Sequence, residues 1–177
     1  MRHVRRGGVY LRVADPSWRD PLSGEHARIR GGRWNAPGAF GVVYLNTSQG
    51  IARALVRSRL EDRGIRPEDI LPEAGPVLLS TTVPDDVYVN AVTDAGLRAV
   101  SLPTTYPLDG RGRVIPHGVC QPIGQLVWDA GERGIVCRSA TKGAPARGEE
   151  FAYFGRARLR VKETEPFADW YLRSGSH

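Results

Sequence analysis

The stretch that most limits what this chain can become runs Arg30-Gly31-Gly32-Arg33-Trp34-Asn35-Ala36-Pro37-Gly38, then Ala39-Phe40-Gly41 and Val42-Val43-Tyr44-Leu45. Glycines cluster around one arginine, one tryptophan and one asparagine, and then the chain turns apolar. Glycine tolerates positive φ and lets backbones approach closely, so Gly31-Gly32 and Gly38 predict a tightly turned loop. Val42-Val43-Tyr44-Leu45 is short, apolar and β-branched at its start, the pattern of a buried strand. Such a loop can offer successive backbone N–H groups as an anion-binding nest, with Arg33 as a bidentate phosphate donor. Trp34 and Tyr44 would supply aromatic faces for a flat, cationic ring. A second role fits the same residues: a hairpin loop whose indole plugs the core.

At 177 residues the chain is long enough for one domain with a real core and too short for two comfortable ones. Its 41% apolar and 25% charged residues are ordinary for a soluble globular protein. No apolar run approaches the roughly 18 residues that span a bilayer, and no signal-peptide core follows Met1. A cytoplasmic location without membrane contact is therefore expected. Cys120 and Cys137 are too few for a disulfide framework and lack metal-ligand spacing, so both read as small buried hydrophobes and no metal is expected. The net charge of +6 favours polyanions or phosphate-bearing ligands. Yet the arginines are dispersed along the chain and form no basic recognition helix, so direct nucleic-acid binding is not expected. His26 and His117 are isolated, with no cluster around them, and read as structural.

Taken in order, residues 1–8 read as a frayed start, and Val9 to Val13 as a first strand with Arg12 opposite Val9, Leu11 and Val13. Asp15 to His26, with Pro16, Pro21 and Gly24, reads as loop or short turns. Asn46-Thr47-Ser48 caps a helix that runs to about Arg63, with Ile51, Ala52, Leu55, Val56 and Leu60 on its core face. Pro76 to Val83 and Val87 to Val89 read as strand, and Asn90 to Val100 as a short helix. Gln121-Pro122 reads as the opening of a second clear helix, because proline suits the first helical position. Ile135 to Arg138 is a strand that delivers Ser139; Phe151 to Phe154 and Ala157 to Val161 are late strands, and Pro166 to Leu172 a terminal helix. Runs of both element types without strict alternation predict α+β with a mixed sheet.

At this point several segments in order resemble one family. Gly31-Gly32-Arg33-Trp34-Asn35 followed by Val42-Val43-Tyr44-Leu45 is similar to the signature of RES-domain proteins, toxins of bacterial toxin–antitoxin pairs named for an Arg, a Glu and a Ser. Leu11-Arg12-Val13 resembles the family's first-strand motif. Gly134 to Ala140 resembles its serine segment, and Glu149 to Phe154 its closing strand. The resemblance covers roughly residues 10 to 155 and implies a single RES-like domain over 1–177, its motif-bearing core at about 9–161. The implied fold is α+β: a mixed or antiparallel split sheet with flanking helices, like that of ADP-ribosyltransferase toxins. The implied substrate is NAD, degraded by phosphorolysis or hydrolysis or used for ADP-ribosyl transfer to a protein. Inorganic phosphate is an implied co-substrate, and no prosthetic group is implied. Carried over by position, Arg33, Tyr44 and Ser139 would be catalytic, and Arg12, Gly32, Trp34 and Asn35 would bind substrate. The resemblance also implies a homodimer and a helix-turn-helix antitoxin partner.

One position departs from the family. Its glutamate lies on the helix after the tyrosine strand, and that place holds Leu55 here, with Arg59 one turn on. Cleaving an N-glycosidic bond builds positive charge on ribose, which a carboxylate stabilises. Glu61, Glu132, Glu149 and Glu150 are the candidates to replace it, and spacing does not choose among them. The departure keeps a second function open: a module that binds NAD, ADP-ribose or a partner without turnover. A basic RNA-acting toxin ranks last, for want of an acid–base pair containing histidine.

Overall fold

A computed structural model of the chain describes residues 1–155 and 158–173. Its spine is a pair of long antiparallel strands, β1 (His3–Ala14) and β3 (Val77–Ala91), in register from His3↔Val89 to Ala14↔Val77 with an irregularity between Arg6 and Gly8. The chain start is therefore strand, where the sequence predicted fraying. Residues 3–8 lack a clean apolar alternation, but the edge of β3 pairs their backbone groups, and backbone pairing needs no particular side chain. The same pairing extends β3 through Asn90 and Ala91. The helix expected from Asn90 is thereby reduced to α3 (Asp94–Ala99), capped by the Thr93 hydroxyl.

The remaining strands are β2 (Val43–Asn46), β4 (Gly134–Arg138), β5 (Glu149–Tyr153) and β6 (Val161–Glu165). The sheet order is β1-β2-β5-β4-β3-β6, and β1 also pairs with β3, so five strands close into a ring. Only β3–β4 is parallel, which makes the sheet mixed, as expected. The ring closes narrowly: β1 meets β2 through Leu11↔Asn46. The start of the late strand expected at Ala157–Val161 lies outside the described residues; the described strand begins at Val161.

Strand alternation sorts side chains into two sides of the ring. Inside lie Tyr10, Val43, Leu45, Val83, Tyr88, Val136, Phe151 and Tyr153. Outside, α2 (Gln49–Glu61) lays Ala52, Val56 and Leu60 on Val13, Leu78 and Trp170, the stripe its sequence predicted. Ser48 caps it by accepting from the Ile51 N–H. The terminal helix is a single π-helical turn, Ala168–Leu172. On another outer flank, α4 (His117–Asp129) covers Ile135, Cys137 and Ala152 together with Trp34, Phe40 and Phe154. This helix starts at His117, four residues before the predicted start, and Pro122 sits inside it. Pro122 lies past the first turn, so the helix forgoes the bond its N–H would have given to the Gly118 carbonyl, a loss that packing of the α4 face on the sheet outweighs. A short α1 (Glu25–Arg30) leads into the glycine loop, beginning where the sequence allowed short helical turns and running past His26, where that stretch was expected to end. No described helix is long and apolar enough to cross a membrane.

Candidate active site

The glycine loop is built by its own polar residues. Gly31 and Gly38 both have positive φ, 73° and 81°, as the sequence required. Asn35 is fully buried; its amide donates to the carbonyls of Ala27 (2.7 Å) and Phe40 (3.2 Å). Its Oδ1 accepts from the Tyr44 hydroxyl at 2.8 Å, and that hydroxyl accepts from the Trp34 N–H at 2.8 Å. Tyr44 on β2 thus ties the loop to the sheet. Gly32 packs on the Tyr44 ring so closely that a Cβ would collide with it. Trp34 is 1% exposed, stands beside Tyr106, and has its carbonyl against Gly124 of α4, where any side chain would overlap it. Of the two roles open for this tryptophan, the core plug is the one the structure displays. Asn35 is likewise interior, so its amide serves the loop.

Arg33 alone leaves the loop toward a crevice. It is part-buried, and its Nη1 donates to the Ile115 carbonyl at 2.8 Å and approaches Cys120 Sγ at 4.0 Å. Tyr106, Cys120 and Cys137 surround its charge. Those three form a floor: Tyr106 and Cys137 are each 1% exposed and Cys120 is 0% exposed. Burial pushes both thiols and the hydroxyls of Tyr106 and Tyr44 upward in pKa. All four remain protonated at neutral pH, so neither cysteine is a thiolate nucleophile. His117, at the start of α4, is held below its usual pKa by burial and then by Arg33, and is neutral there.

Ser139 follows directly on β4. Its hydroxyl donates to Glu150 Oε1, and it accepts from the Thr141 N–H at 3.2 Å. The Thr141 hydroxyl also donates to Glu150 Oε1, at 2.8 Å. Glu150 lies on β5 directly across from Cys137 on one side and Asn46 on the other. Its charge is felt by Tyr106 and Cys137, which also neighbour Arg33. A guanidinium and a carboxylate therefore bracket one protonated, apolar floor.

Arg138 secures the arrangement. Its guanidinium donates to the carbonyls of Val92 (2.7 Å), Thr104 (2.6 Å) and Tyr106 (3.3 Å) and to Asp94 (2.7 Å). This pins the segment that carries Tyr106 against the end of β4. Gln121 of α4 donates to the Gly32 carbonyl at 3.0 Å, fastening the loop from above.

Arg12 lies elsewhere. Leu11 pairs with Asn46, whose face Tyr44 shares, so the next residue along β1 points to the other side. Arg12 is 5% exposed, lies 5.5 Å over the Trp18 ring, and has Asp20 and Arg59 as charged neighbours. Among the described residues its Nη1 has no hydrogen-bond partner. Burial, with Arg59 adding and Asp20 opposing, pulls its pKa down to about 10. The structure thus brings Gly32 onto the Tyr44 ring with Arg33 close by, links Ser139 to them through Glu150 and Cys137, buries Trp34 and Asn35 as support, and turns Arg12 to the other face of its strand. Leu55 packs beside the α2 cluster of Val13, Val56 and Trp170. Tyr106 and Arg138 were not singled out from sequence. Tyr106 sits in a loop-like, proline-flanked stretch, and Arg138 differs from its strand neighbours only in being the lone charge at an apolar strand's end. Among the described residues, no three His, Cys, Asp or Glu side chains converge as a metal site.

With this geometry in hand, comparison with known proteins identifies the class. The RES domain model matches residues 9–170, and the chain belongs to the RES domain family. Relatives named NAD(+) phosphorylase MbcT, from Mycobacterium tuberculosis (strain ATCC 25618 / H37Rv) and Mycobacterium bovis (strain ATCC BAA-935 / AF2122/97), are 32% identical over 124 residues. That match covers 69% of this chain and 62% of each relative, less than two thirds of their length. The fold is similar to the crystal structure of the M. tuberculosis MbcT–MbcA toxin–antitoxin complex. The TM-score is 0.71 and the identity 26%, over 93% of this chain and 86% of that one.

Proposed function

We propose that this chain is an enzyme that breaks the nicotinamide–ribose bond of NAD, with inorganic phosphate as the acceptor. The observation that carries the reading is a shared neighbour: Arg33 lies beside Cys137, whose partner across the sheet, Glu150, is bonded by Ser139. The phosphorylase name of the 32%-identical relatives supports phosphate over water or a protein side chain as acceptor. Arg33 neutralises a phosphate group, and Gly32 and Tyr44 border the nicotinamide. Ser139 holds a ribose hydroxyl, and Arg12, on the other face of its strand, takes no part. By the same reading the protein is a cytoplasmic toxin, neutralised by an antitoxin as in the similar complex. Its helix-turn-helix character and a homodimer of this chain belong to the same proposal.

Incubating the purified protein with NAD, with and without inorganic phosphate, and identifying products by mass spectrometry tests this. Nicotinamide together with ADP-ribose 1″-phosphate, formed only with phosphate, is the expected result. Free ADP-ribose in both cases would make water the acceptor, and an ADP-ribosylated protein would make it a transferase. A second reading has one observation in its favour: Leu55, at the family's glutamate position, lies against the apolar α2 cluster. Unchanged NAD alongside measurable NAD binding would establish that non-catalytic module.

A further inference from the structure

We infer that Glu150 supplies the carboxylate that Leu55 cannot, acting on the ribose from β5 instead of from α2; the inference rests on the NAD-cleaving reading above. Four carboxylates were candidates on sequence, and the sheet register separates them. Glu149 faces the other side of β5, where it pairs with Arg6 at 2.9 Å. Glu132 bonds His3 at 2.8 Å, and Glu61 faces Lys142 at 3.4 Å on the surface. Glu150 alone of the four takes hydroxyl donors from the serine segment and shares Tyr106 and Cys137 as neighbours with Arg33.

Its surroundings suit the task. Tyr44 is paired with Ala152, two residues along β5 on the same face, so the tyrosine and the carboxylate are diagonal neighbours. Both hydroxyl donors bond Oε1. Among the described residues no partner is recorded for Oε2, which stays available to a ribose hydroxyl. Ser139 and Thr141 fix the carboxylate before any ligand arrives, the preorganisation that makes such a charge effective. In the step it assists, the C1′–N bond breaks and its electron pair leaves on nicotinamide, which departs as a neutral base. A phosphate oxygen then forms the new bond to the cationic C1′. A monoprotonated phosphate dianion needs no proton transfer for this, and Glu150 keeps its negative charge throughout.

The test compares wild type with Glu150→Gln and Glu149→Gln at saturating NAD and phosphate, reading nicotinamide release, NAD affinity by calorimetry, and melting temperature. Glutamine keeps an oxygen that accepts from Ser139 and Thr141 and removes only the charge. Glu150→Gln is expected to lower kcat on the order of a hundredfold, with NAD affinity and melting temperature little changed. Glu149→Gln, one residue away on the opposite face, should keep kcat within about twofold. A Glu150→Gln enzyme at the wild-type rate would overturn the inference and leave the NAD reading intact. So would a loss of rate that merely follows a lower melting temperature. Wild type that releases no nicotinamide removes the NAD reading first, and this inference with it.

Discussion

Arg33 and Arg12 carry the same side chain and were expected to do the same work, yet the fold treats them oppositely. Arg33 stands on a glycine loop, part-buried, with its head fastened to the Ile115 carbonyl. Arg12 stands on a regular strand, almost wholly buried, with one nitrogen unbonded and its pKa pulled down to about 10. The first is aimed by its surroundings, which offset the desolvation its burial imposes. The second is a buried charge with too few partners, which weakens a fold unless something else needs it. The contrast shows how position within an element, and not residue type, decides whether a charge is held ready or held at a cost.

The largest effect should come from the aimed arginine. Arg33→Ala should lower nicotinamide release on the order of a hundredfold or more, because it removes the crevice's positive charge. Normal turnover in this variant would erase the contrast by showing that the crevice is not the site. Next is the support beneath that arginine: Asn35→Ala leaves the Ala27 and Phe40 carbonyls and the Tyr44 hydroxyl without their partner. It should cost about 2–3 kcal/mol of unfolding free energy, read from denaturant titration. Arg12→Met keeps length and removes an under-partnered charge. It should leave NAD binding within about twofold and the unfolding free energy equal or slightly higher. A marked loss of stability instead would make Arg12 a structural residue. The smallest effect concerns pH. Burial, and then Arg12, Arg30 and Arg59, hold the His26 imidazole below its ordinary value of 6.5. In the window just below that value the unfolded chain binds more protons than the folded one. The stability this group contributes is therefore complete above about pH 6.5 and is lost as pH falls through the lower folded value. Melting curves of wild type and His26→Gln should shift in the variant's favour on going from about pH 7 to about pH 5.

Much of the framework was legible in the residues. The α2 stripe, the strand before Ser139 and the glycine turns with positive φ are local properties, written in spacing and in the demands of glycine. What was not legible was pairing at a distance. The strand at His3–Ala14 begins with residues that show no useful alternation, and only β3 alongside makes them a strand. The α4 start was placed late because Pro122 carries a strong local signal that the helix overrides. Trp34 and Asn35 were expected against substrate but are interior, since a short loop folded onto a sheet must point some of its side chains inward. Glu150 was one of four equal candidates until β4 and β5 came into register.

The amino-acid order alone settled the family, the tight loop around Arg33 and the α2 core face. Each of these is carried by neighbours within a few residues, where stereochemistry and side-chain periodicity act directly. Only the tertiary structure decided that Arg12 and Arg33 part company, that Tyr106 and Cys137 make a common floor, and that a carboxylate from a late strand closes on Ser139. Those relations depend on which strand lies beside which. A shift of one residue in register would send Glu150 to the far side of the sheet, because side chains alternate along a strand while backbone pairing is blind to their identity.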